Sequence, residues 1–136
     1  MRALCQQLVE TYRAEHRMYA HIKELVAEQL SIMADCPDPR AVLALCTQVE
    51  DAMAQIGALE EAIEPAKRQW ELDRTDPEGD LDDVLGLIEA DIEQISDAQQ
   101  SVQDALLGYM QAHRTRTEGA RTSIRTSRAR RRYRAG

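Results

Sequence analysis

Apolar residues recur at every seventh position from Leu81, giving Leu81, Ile88, Ile95, Val102 and Tyr109. A companion series four places on reads Leu85, Ile92, Gln99, Leu106 and His113. A heptad held this long predicts a helix over 80–113 that buries one seam against partner helices. At 1.5 Å per residue it is roughly 50 Å long. Residues 3–34 carry a broader face: Leu4, Met18, Leu25 and Ile32 form one stripe, Leu8 and Ile22 a second, and Tyr12, Tyr19, Val26 and Met33 a third. Glu15 and Gln29 interrupt the middle stripe. A wide face shared between two partners is expected to let Glu15 reach its edge, because an unpaired buried charge is costly. Over 39–73 the frame is Val42, Val49, Ile56, Ile63 and Trp70, with Leu45, Ala52, Leu59 and Ala66 between them. Pro65 sits inside that frame and is expected to kink the helix between Glu61 and Pro65. Trp70, at a heptad position, reads as the anchor that closes one end of the bundle.

The breaks between these patterns set the topology. Asp35-Cys36-Pro37-Asp38-Pro39 stops the first helix, since each proline pushes its predecessor out of helical geometry. Asp38 then caps the second helix, with Pro39 in the first turn where its missing N–H does no harm. Asp73 to Asp83 is a connection rich in acid, Gly and Pro, with Asp80 the expected cap of the third helix and Asp76 the alternative. Three long helices joined by short connections run up, down and up. The expected fold is therefore all-α, an elongated antiparallel three-helix bundle over 1–113 followed by a basic, conditionally ordered tail over 114–136. Heptads alone leave open whether the partner helices come from the same chain or from a second copy.

Composition agrees with helix: Ala, Leu, Glu and Gln dominate, with one Trp, four Tyr and no Phe. No run reaches the ~18 apolar residues of a membrane span. The first residues turn polar too soon for the apolar centre of a secretion signal, so a cytoplasmic location is expected. Cys5, Cys36 and Cys46 are unevenly spaced and read as free thiols. The net charge of −7 hides a division: residues 1–113 hold 8 basic and 23 acidic side chains, whereas residues 114–136 hold nine arginines and the single Glu118. Such asymmetry marks an interaction tail.

Enzyme chemistry finds no footing in this pattern. His16 and His21 are five apart and do not share a helical face, and His113 is distant, so no metal set is expected. The acids of the second connection lack the spacing of a calcium loop. Glu60-Glu61 and Asp82-Asp83 have no neighbouring nucleophile or phosphate-binding loop. No cofactor is called for. The candidate binding residues lie late in the chain. Val102, Leu106 and Tyr109 have the spacing of anchors for an amphipathic helix, with Leu107 and Met110 beside them. In a helical tail Arg121, Arg125, Arg128 and Arg132 line up as a positive stripe, with Tyr133 off it, able to pair with carboxylate or phosphate. Threonines and serines through 115–127 suggest that this helix forms only on binding. Until then the basic tail can lie against the acidic body.

Leu8, Tyr12 and Tyr19, the break with Asp38 before Ala41-Val42-Leu43, the run Ile56-Gly57-Ala58-Leu59-Glu60-Glu61 leading to Lys67-Arg68, the residues Gln100, Val102, Leu106 and Leu107, and the closing Tyr133-Arg134-Ala135-Gly136 carry a resemblance. Over about residues 4–112 the chain resembles the FlgN-like flagellar export chaperones. The resemblance implies a small cytoplasmic helical protein that holds hook-associated proteins before type III export, with the export machinery as a further candidate partner. It places the client on the later part of the third helix and on the tail beyond it. The other reading is a structural coiled-coil scaffold or adaptor whose Arg-rich tail binds nucleic acid or an acidic partner.

Overall fold

The computed structural model contains three α-helices, α1 (Arg2–Asp35), α2 (Pro39–Glu71) and α3 (Asp80–Ala135). It describes residues 2–135, with side chains described over 2–122. The chain divides into two compact units, Met1–Val102 and Gln103–Gly136.

The first unit is a three-helix bundle in which α1 packs against both α2 and α3. Two cross-helix contacts fix the directions. Gln29, late in α1, donates to the Val42 carbonyl at the start of α2 over 3.0 Å, so those helices are antiparallel. The Cys5 thiol, early in α1, lies 3.8 Å from Asp76, just before α3, so α1 and α3 run the same way.

Local chemistry explains each boundary. Asp38 accepts from the backbone N–H groups of Arg40 and Ala41, satisfying donors that the first turn of α2 leaves without helical partners. α2 is continuous through Pro65 as far as Glu71. Trp70 is half-buried, and its ring N–H donates to the Thr75 carbonyl over 2.9 Å, tying the end of α2 to the loop after it. The expected cap of α3 needs correction. Asp76, and not Asp80, accepts from the N–H groups of Leu81 and Asp82 at 3.3 and 3.1 Å. Gly79, with φ of 73°, supplies the left-handed turn that brings Asp76 back over the helix start.

The α2 frame packs in large part as its pattern predicts, with Val42, Leu45, Val49, Ala52, Ile56 and Ile63 buried and Leu59, Ala66 and Trp70 half-buried. The α3 frame is half as predicted. Leu81, Ile88, Ile95 and Val102 are buried, but the second buried series lies three places on, at Val84 and Asp91, instead of four. Leu85 and Ile92 from the expected companion series are 37% and 50% exposed, and Gln99 and His113 are exposed too. On α1 the middle stripe is the centre of the buried face: Leu8, Glu15, Ile22 and Gln29 are all 3% exposed or less. Glu15 therefore does not reach an edge.

The second unit is the continuation of α3. The helix does not end at His113 but continues to Ala135. The threonines expected to fray it are accommodated by donating back to the carbonyl one turn earlier: Thr115 to Gln111, Thr117 to His113 and Thr122 to Glu118, at 2.9–3.0 Å.

Candidate docking surface

The predicted anchors separate into two groups. Val102 belongs to the first unit and is 5% exposed, a core residue unable to touch a partner. Leu106, Leu107, Tyr109 and Met110 lie in little more than one turn of the second unit. Leu106 and Tyr109 are half-buried, whereas Leu107 and Met110 are 57% and 56% exposed. Leu107 and Met110 are three residues apart and neighbours on one helical face. The Tyr109 ring stacks on His113 with centroids 6.3 Å apart and planes 11° from parallel, which holds the ring along the helix. Gly108 has open space where a Cβ would be, so a partner backbone can approach there. Arg121 is exposed, about 16 Å further along the helix than Met110. The side chains of Arg125, Arg128, Arg132 and Tyr133 lie outside the described residues.

Among the apolar residues missed as candidates, Leu85 and Ile92 were expected to be buried in the bundle and are open to solvent, and Leu43, Met53, Leu72 and Leu87 are exposed as well. The signal for Leu85 and Ile92 was in the sequence, because Val84 offers the alternative second series that takes their place inside.

The buried polar groups of the first unit are structural in character. Asp91 is 2% exposed and accepts from both Lys23 and His16 of α1. Glu15 is 1% exposed, and its Oε1 has no hydrogen-bond partner. Burial first, and then the carboxyl of Glu60 across on α2, push the Glu15 carboxyl up to about 8, against a smaller opposing effect of Lys67. Glu15 is thus held as a neutral acid at pH 7. Burial, reinforced by Asp76, likewise pushes the Cys5 thiol up and away from the reactive thiolate form. Cys5, Cys36 and Cys46 are all free thiols. Among the described residues no group of three His, Cys, Asp or Glu side chains is placed to hold a metal ion. No helix among them is long and apolar enough to cross a membrane. No family model, curated protein or solved structure matches the chain.

Proposed function

We propose that the protein is a holding chaperone for exported hook-associated flagellar proteins, docking an amphipathic client segment on the second unit of α3. The exposure of Leu107 and Met110 beside half-buried Leu106 and Tyr109 supports this reading. A client helix covers such a patch with anchors at i, i+3, i+4 and i+7, and so loses the apolar face through which it would self-associate. Arg121 and the arginines beyond it then pair with acids on the client or on the export machinery. The flagellar identity of the client comes from the family resemblance.

A second reading is favoured by one observation, the nine arginines in residues 114–136. It makes the protein a coiled-coil scaffold whose basic end binds nucleic acid. Salt titration separates the two. Binding to duplex DNA through several arginines falls by orders of magnitude between about 50 and 200 mM salt. Docking of a client through apolar anchors loses far less over the same range. Tight DNA binding at moderate salt, with no binding of purified hook-associated proteins, selects the scaffold.

A further inference from the structure

Three exposed apolar residues of the first unit face one valley of the bundle. Asp91 and Ile92 lie three and four places after Ile88, so they flank the buried seam of α3 on opposite sides. Asp91 takes the side that meets α1, where His16 and Lys23 hold it. Ile92, with Leu85 one heptad earlier, therefore stands on the side turned to α2. The second helix repeats the arrangement, with Ala52 and Met53 three and four places after Val49. Ala52 lines a groove with Ala14 and Met18 of α1. Ala14 is about two and a half turns from Lys23, on the edge of α1 away from α3, which leaves Met53 on the side of α2 turned to α3. Contacts through α1 set the level: Asp91 meets α1 between residues 16 and 23, while Glu15 and Gln29 of α1 meet Glu60 and Val42 of α2. Met53 thus stands level with Ile92. Met53, Leu85 and Ile92 are 46%, 37% and 50% exposed.

We propose that this valley between α2 and α3 docks a basic amphipathic helix, one whose apolar stripe is bordered by Lys and Arg. Charge selects the occupant. Between residues 41 and 66 α2 carries five Asp and Glu side chains and no Lys or Arg, and between residues 80 and 102 α3 carries seven and again no Lys or Arg. Glu89 lies on the helix surface between Leu85 and Ile92, and Glu50 lies one turn before Met53; both are exposed. Lys23 and Arg68, on α1 and at the end of α2, are already engaged by Asp91 and Glu64. An acidic helix would be repelled by these rims. A basic one lays its apolar stripe on Met53, Leu85 and Ile92 and meets the carboxylates on either side with its cations. The site lies wholly in the first unit and does not rest on the client reading.

The test uses the full chain and a labelled synthetic helix about four turns long, with leucines along one face and lysines on both sides of them. Fluorescence anisotropy at about 50 mM salt should show saturable binding. A scrambled peptide of the same composition keeps the charge but loses the apolar stripe, and should bind at least about tenfold more weakly. Met53→Ser combined with Ile92→Ser should lower affinity by about tenfold or more, with helix content unchanged by circular dichroism. Glu89→Lys, at a fully solvated position, should weaken binding by about fivefold, whereas Leu107→Ser with Met110→Ser should leave it unaltered. Equal binding of the two peptides overturns the proposal. So does full affinity in the Met53/Ile92 and Glu89 variants, or a loss confined to the Leu107/Met110 variant. A light-scattering mass of twice the 15.4 kDa of one chain that falls to one chain in Ile92→Ser would put a second copy in the valley, and likewise overturns it.

Discussion

The ammonium of Lys23 on α1 donates to the carboxylate of Asp91 on α3, which is buried at a position of the seam where an apolar residue would otherwise pack. His16, two helical turns earlier on α1, holds the other oxygen of the same carboxylate. Removing a partner of a buried charge costs more than the pair contributes, because the desolvated charge remains. Lys23→Met should therefore destabilise the bundle by about 2 kcal/mol, less than for a wholly buried pair because Lys23 is one-third exposed. Combining it with Asp91→Leu, which makes the seam apolar throughout, should recover most of that loss. Urea unfolding checks both variants, and a Lys23→Met chain as stable as the original would show that the pair holds nothing together.

Glu15 makes stability depend on pH in the direction opposite to an ordinary surface carboxylate. Its folded value, about 8, lies above its ordinary value of 4.5, so between these limits the folded state binds a proton that the unfolded chain has lost. The associated stability is complete below about pH 4.5 and is lost as the pH rises through about 8. Glu15→Gln keeps the shape and cannot ionise. Its melting temperature should exceed that of the original chain by about 5 °C or more at pH 9, with the gap narrowing toward pH 5. A gap that stays constant from pH 5 to 9 would show that Glu15 does not titrate inside the fold.

These same residues mark how far the structure was legible in the sequence. Helix number, the first two helices and the start of the third are legible because prolines, Asp38 and the α2 frame act within a few residues of one another. The α3 seam misleads because Asp91 looks solvent-facing and Ile92 looks core. Only Lys23 and His16, nearly 70 residues or more away, make the reverse arrangement favourable. Glu15 misleads for a similar reason, its neighbour being Glu60 on another helix. The continuation of α3 beyond His113 was not legible because a threonine can either fray a helix or stay in it by donating to the carbonyl one turn earlier, as Thr115, Thr117 and Thr122 do, and composition does not decide between the two. Of the candidate docking residues, Leu107 and Met110 are exposed as their position beside the seam suggested, while Val102 is taken up by the core.

The buried frame itself predicts where a charge is tolerated. Ile56 and Ile95 are 4% and 7% exposed, and an Asp at either would bury an unpaired carboxylate at a cost of several kcal/mol, out of a usual total of about 5–15. Ile56→Asp and Ile95→Asp should each abolish cooperative thermal unfolding at neutral pH. Gln103→Asp, at an exposed position on α3, should melt within a few degrees of the original chain. Comparable losses at Gln103 and Ile95 would mean that the helix is turned differently from the frame described.

Under the proposed function, the exposed face around Leu107 and Met110 receives a client helix. Replacing both residues by Ser removes the apolar anchors and leaves the buried frame alone. Fluorescence anisotropy with a labelled amphipathic segment of a purified hook-associated protein, at 150 mM salt and with helix content verified by circular dichroism, measures the consequence. Affinity should fall by about tenfold or more, since each anchor contributes on the order of 1–2 kcal/mol. Unchanged affinity in a folded double variant would contradict the docking site and place the client on α1 or α2.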